Sequence, residues 1–216
     1  RATNGLEAFD LLSRNQYDAV VLDVNMPKMN GLQLLEELRK FRIPARIMMA
    51  STDTMEGADT TIRALELGAL DFVHKPDSAM DCRVVEFKTN FLRTLDIVAN
   101  SAMPVFETES QIREIEKTTT KMVDFAKKFH AKTPGTKVVA MASSTGGPKA
   151  LQEVIPRLPA DLDAPVLLVQ HMPKGFTASL AKRLNELSEI KVKEAQEGDE
   201  LEKGTVYVAM GGQHMN

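Results

Sequence analysis

The run Tyr17-Asp18-Ala19-Val20-Val21-Leu22-Asp23 constrains this chain more than any other stretch. Apolar residues lead straight into a carboxylate. A turn with Pro27 and Gly31 follows, and Leu32, Leu34, Leu35 and Leu38 then mark an amphipathic helix. Strand, acid, loop and helix in that order suit an open parallel α/β sheet, where ligands bind at the carboxyl ends of strands. The alternation continues on both sides. Leu6, Phe9, Leu11 and Leu12 give an earlier helical face, and residues 17–22 read as a buried strand. Residues 47–50 form a second strand, and Ile62, Leu65 and Leu67 mark a helix stopped by Gly68. Residues 69–73 make a third strand, closed by Lys75-Pro76, and residues 84–98 a fourth helix. Strands alternating with helices predict a doubly wound parallel sheet.

A change of composition interrupts this pattern. Residues 104–136 mix acidic and basic side chains with a Thr run at 118–120 and end at Pro134-Gly135, so they read as a linker. Met122, Phe125, Ala126 and Phe129 recur at helical spacing within it, as a short helix packed on a domain edge would require. Alternation then resumes. Residues 137–142 read as a buried strand, followed by a helix from Pro148, a strand at 165–170, a helix at 177–187 and strands at 191–193 and 205–209. The expected organisation is a first α/β domain over 1–103, a linker over 104–136 and a second α/β domain over 137–216. Length supports two ordinary domains, and 43% apolar with 26% charged residues supports a soluble globular class. A net charge of −3 gives no electrostatic footprint for nucleic acid or an anionic membrane. The single Cys82 excludes an internal disulfide framework and fits a reducing, cytoplasmic setting. No apolar run reaches the ~20 residues of a membrane helix.

Two sets of side chains carry chemistry. In the first half, Asp23, Ser51 and Lys75 each close a strand, so one sheet edge presents a carboxylate, a hydroxyl and an ammonium. Phosphoryl transfer to a side chain asks for that set together with a divalent cation. The Lys75-Pro76 step is expected to be cis or otherwise strained, aiming the ammonium inward. In the second half, Ser143-Ser144-Thr145-Gly146-Gly147-Pro148 joins a strand to a helix. The turn lacks the Lys of a P-loop and the spacing of a dinucleotide fingerprint. It suits either a phosphate cradle or a nucleophilic serine at a positive helix end. A nucleophile needs a base, and Gln170-His171-Met172-Pro173 places His171 at the next strand end.

The first set, with Met26-Pro27, Gly31, Met48-Met49-Ala50-Ser51 and residues 64–76, resembles the receiver domain of two-component response regulators. By that resemblance Asp23 is the phosphorylation site and Ser51 and Lys75 contact the phosphoryl oxygens. Phe72 takes the place of the switch aromatic, and Asp23 with the Asn25 main-chain carbonyl contributes to a Mg²⁺ site. The second set, Ser144-Thr145-Gly146-Gly147 with residues 170–177, is similar to the catalytic domain of the chemotaxis methylesterase (CheB) family. That family joins a receiver, a linker and an α/β esterase, in the order seen here.

The resemblance implies Ser144 as nucleophile, His171 as base and Thr145 at the oxyanion, with no cofactor for the ester reaction. It also implies a histidine kinase as phosphodonor and methylated chemoreceptor helices as substrate, with deamidation of receptor glutamines as a second activity. The family turn usually has Ala where Ser143 stands, which leaves two adjacent hydroxyls; alignment on Thr145-Gly146-Gly147 selects Ser144. The family's acidic pair and first receiver strand would precede residue 1. Its third triad member, an Asp, would follow residue 216, since Asp199 sits in a solvated turn. The chain is therefore expected to be truncated at both ends, with an incomplete flavodoxin-like receiver sheet and an incomplete esterase. The competing class is a non-enzymatic response-regulator adaptor whose second domain only binds a partner.

Overall fold

The computed structural model describes residues 1–51, 55–75, 84–104 and 137–215. The Lys75-Pro76 step, Cys82 and the expected linker helix at 122–129 lie outside the described residues. In chain order the elements are α1 (Gly5–Arg14), β1 (Val20–Asp23), α2 (Gly31–Lys40), β2 (Ile47–Ser51), α3 (Met55–Glu66), β3 (Asp71–His74) and α4 (Val84–Asn100). There follow β4 (Val139–Ser143), α5 (Gly147–Val154), β5 (Val166–Gln170), α6 (Phe176–Leu187), β6 (Lys191–Glu194) and β7 (Thr205–Val208). They build two wholly parallel sheets, ordered β1-β2-β3 and β4-β5-β7-β6, so the predicted α/β class holds.

Local signals explain several boundaries. Asn4 caps α1 by accepting from the Glu7 N–H at 3.1 Å. α2 opens on a capping box: Asn30 accepts from the Gln33 N–H and Gln33 accepts from the Asn30 N–H, both at 2.9 Å. β2 lies between two strands with helices over both faces, and all five of its residues are buried. Its unbroken Ile-Met-Met-Ala run is what such a central strand requires.

Three expectations need correction. The first strand starts at Val20 rather than residue 17, and Val21 remains 44% exposed. The apolar cover on that face, Val98 with Phe87, Phe91 and Leu95, packs on Met48, Ala50 and Val73 of β2 and β3. The third strand begins at Asp71, because Ala69 and Leu70 carry the chain from the end of α3 onto the sheet. β4 is not a buried strand: it stands at one end of its described sheet, and Val139 is 39% exposed. An apolar run reports that a strand is apolar on both sides but not which side is covered.

Residues 1–104 and 137–216 form one compact unit. α3 makes the join. Ala58, Thr61, Ile62, Ala64 and Leu65 are all buried, a stripe wider than one contact face, because the helix packs on β2 and α2 and also on α5 and α6. A continuous apolar cluster runs from Leu22, Leu34 and Ile62 to Leu151, Leu180 and Val206. No described helix is long and apolar enough to cross a membrane.

Candidate functional site

Strand register assembles the first group of side chains. Asp23 pairs with Ala50 and Ser51 with His74, so Asp23, Ser51 and Lys75 gather at the carboxyl ends of β1, β2 and β3. Lys75 Nζ donates to Asp23 Oδ2 at 2.6 Å, and the Asn25 N–H donates to Asp23 Oδ1 at 3.2 Å. Both partners of the ion pair keep part of their side chains in solvent. Ser51 is buried and its hydroxyl donates to the Gly57 carbonyl at 3.2 Å. The structure thus brings Asp23 and Lys75 into contact and places Ser51 at the same edge, with its hydroxyl turned toward α3.

The fit to Mg²⁺ is incomplete. Asp23 and the Asn25 carbonyl offer two oxygen donors. Among the described residues no group of three or more His, Cys, Asp or Glu side chains is placed to hold a metal ion. A hard divalent cation is usually held by one or two carboxylates plus water and phosphate oxygens. The described residues supply only part of that set.

The second group sits where β4 and β5 end. Ser143 pairs with Gln170, so Ser144 and His171 stand side by side, each one residue past its strand. The His171 N–H donates to the Ser143 carbonyl at 3.0 Å and continues the ladder by one bond. Ser144, Thr145 and His171 are exposed, and among the described residues Ser144 and His171 are not hydrogen-bonded to each other. Ser143 differs from its neighbour: its hydroxyl is engaged, donating to Gln170 Oε1 at 2.6 Å. Gln170 Nε2 in turn donates to the Ser144 carbonyl at 3.0 Å and the His171 carbonyl at 3.3 Å.

Gly146, at φ 75°, makes the sharp entry into α5 that a side chain would resist. Gly147 then passes so close to Gln170 that a β-carbon would overlap Oε1. The Gly147 N–H closes the turn onto the Ser144 carbonyl at 2.7 Å. Asp199, the only described Asp after His171, is committed elsewhere. It accepts from Lys193 Nζ at 2.7 Å and from the Gln196 N–H at 2.8 Å, and Lys193 holds its pKa below the ordinary carboxylate value.

β3 packs beside both groups. Phe72 stacks on Phe176, the first residue of α6, with ring centroids 4.9 Å apart and planes 17° from parallel. The neighbouring Asp71 carboxyl lies near Thr145 and His171. Burial raises its pKa, against opposing hydrogen-bond and charge contributions from the Phe72 N–H, the Thr145 side chain, Arg93 and His171. Glu66 at the end of α3 takes Arg183 of α6 in a two-pronged ion pair through Nε and Nη2, and Arg183 also holds Glu186 at 3.1 Å. Sequence reasoning did not anticipate Gln170, Asp71 or the Glu66–Arg183 pair. Only the first carried a signal, as an amide closing an otherwise apolar strand.

Comparison with known proteins matches both parts of the chain to families. The model of the response regulator receiver domain matches residues 1–83, and that of the CheB methylesterase matches residues 139–216. A protein-glutamate methylesterase/protein-glutamine glutaminase of Pyrococcus horikoshii is 44% identical over 214 residues, covering 99% of this chain and 56% of that one. The protein of the same name from Bacillus subtilis is 40% identical over 224 residues, covering all of this chain and 60% of its own length. Among solved structures, the Thermotoga maritima CheB methylesterase catalytic domain is 52% identical over 37% of this chain and 42% of that one, with a TM-score of 0.36. The chain spans little more than half the length of the curated relatives it matches. With a receiver segment and a CheB methylesterase segment in one chain, and proteins named protein-glutamate methylesterase/protein-glutamine glutaminase matched along nearly all of it, the chain belongs to the CheB family.

Proposed function

We propose that the protein is a phosphorylation-controlled carboxylic-ester hydrolase acting on glutamate γ-methyl esters of chemoreceptor cytoplasmic helices, with glutamine deamidation as a related activity. The observation that carries this reading is the register Ser143–Gln170, which sets Ser144 and His171 on adjacent strand ends at an open surface. Ser144 Oγ attacks the ester carbonyl while His171 takes its proton. The tetrahedral intermediate expels methanol, which leaves with that proton, and water repeats the sequence in reverse roles to free the glutamate carboxylate. Thr145 stands at the oxyanion position, where the positive end of α5 favours developing negative charge. Ser143 is a poor rival nucleophile, since its hydroxyl already donates to Gln170.

In the receiver half, Asp23 is the phosphoryl acceptor, with a chemotaxis histidine kinase as donor and Lys75 and Ser51 as the groups that neutralise the transferred phosphoryl. Receivers generally take the phosphoryl group with Mg²⁺. Asp23 and the Asn25 carbonyl are the oxygen donors that the described residues would contribute to it. Phe72 relays the change: it belongs to β3 and stacks on Phe176 at the start of α6, which supports that role.

The test has two arms. Ser144→Ala should remove ester hydrolysis by more than about 10³-fold, while Ser143→Ala should cost less than about tenfold. Asp23→Asn should abolish acid-labile phosphate labelling. Methanol release that survives Ser144→Ala would move the nucleophile to another side chain, and no release from the unsubstituted protein would favour the adaptor reading.

A further inference from the structure

Gln170 closes β5 and is only 5% exposed, yet among the described residues its side-chain hydrogen bonds all go to the ester site. Its Oε1 accepts from Ser143, and its Nε2 donates to the carbonyls on both sides of the cleft, those of Ser144 and His171. A primary amide is the one uncharged side chain that presents an acceptor and two donors in a single plane. Gly147 leaves no space for the amide to shift toward α5.

Peptide geometry gives this clamp a chemical consequence. The Ser144–Thr145 peptide is planar and trans, so its N–H points opposite to its C=O. With the Ser144 carbonyl turned inward onto Gln170 and the Gly147 N–H, the Thr145 N–H is turned outward. Among the described residues that N–H has no acceptor, and it sits on the exposed turn that opens α5.

We propose that Gln170 is a positioning residue for the ester reaction: it ties the main chains of Ser144 and His171 into one rigid unit and aims the Thr145 N–H at the place where the oxyanion forms. The role rests on the esterase reading above and adds to it the group that sets nucleophile, base and oxyanion donor relative to one another. Loss of a single oxyanion donor typically costs 10²–10³ in turnover, and small misplacements of reacting groups cost about 10².

The experiment compares the unsubstituted protein with Gln170→Glu, Gln170→Met and Ser144→Ala. Gln170→Glu keeps size and shape but sets an anionic oxygen against two carbonyls. Gln170→Met keeps volume without charge and carries the test if the Glu variant does not fold. The readouts are kcat and KM on a peptide bearing a glutamate γ-methyl ester, the rate of phosphonylation by a fluorophosphonate, and the melting temperature. The expected result is a fall in kcat of about 10–100-fold with KM within about threefold, a parallel fall in phosphonylation rate, and a cooperative melt. A folded variant that keeps kcat and labelling within about twofold would overturn the positioning role while leaving the esterase reading intact. Failure of the unsubstituted protein both to hydrolyse the ester and to label at Ser144 would overturn the esterase reading, and the role with it.

Discussion

The Phe72–Phe176 stack is the contact through which β3 meets α6, and its energy is measurable by a double-mutant cycle. Phe176 is 1% exposed and Phe72 is only partly buried. Truncating Phe176 to Ala would cost about 3–5 kcal/mol by the usual cavity cost and would obscure the pair term. Leu nearly preserves side-chain volume, so Phe176→Leu should cost about 1–1.5 kcal/mol, and Phe72→Leu less than that because part of its ring is already in water. Rings 4.9 Å apart and 17° from parallel should contribute about 0.5–1.5 kcal/mol beyond area burial. The double variant should therefore lose less than the sum of the single losses by that amount. For a chain of this size 1 kcal/mol moves the midpoint by about 2–4 °C, so the non-additivity is about 1–6 °C. The chain has no Trp, which makes far-UV circular dichroism with urea or heat the suitable probe. Additivity within about 0.3 kcal/mol would mean that the two rings share a neighbourhood without an energetic contact, and the relay assigned to Phe72 would lose its basis.

Three further outcomes follow from the same geometry. Glu66→Gln should cost about 1 kcal/mol and lose most of its effect at high salt, since the pair with Arg183 is partly solvated; Arg183→Lys should not restore it, because a lysine cannot engage both oxygens through two nitrogens. Asp71 is held above its ordinary pKa by burial, so its stabilising contribution is complete below the ordinary carboxylate value and is lost as pH rises through the raised one. Asp71→Asn should therefore match the unsubstituted protein at low pH and melt a few degrees higher near neutrality; a difference that grows on acidification would refute the sign. Gly147→Ala should displace the Gln170 amide and cost about 1–3 kcal/mol, with a loss of ester turnover larger than that of Ser143→Ala.

Much of the site was readable from residue order because parallel sheets collect chemistry at strand ends. Asp23, Ser51 and Lys75, and likewise Ser144 and His171, needed only the identification of strands to be placed at one edge. What resisted reading depends on contacts between distant elements. Glu66 and Arg183 lie 117 positions apart, and neither stands in a pattern that names the other. Val21 and Val139 read as buried because apolar runs do not say which face receives a helix. Gln170 stands beside His171 in the sequence, but its importance comes from three hydrogen bonds that the register of β4 against β5 creates.

The shared apolar cluster beneath α3 has a thermodynamic consequence. Leu34 and Ile62 on one side and Leu151 and Val206 on the other belong to the same buried network. Two stretches separated by more than thirty residues of sequence then melt as a single cooperative entity rather than as independent beads. A stabilising event at either end is therefore felt at the other by mass action. Amide exchange in β7 should slow when an anion occupies the Asp23 edge, although β7 belongs to the other sheet. Sequence changes tolerated in one sheet should in turn depend on how well the other is packed, so the two halves are constrained to vary as a pair.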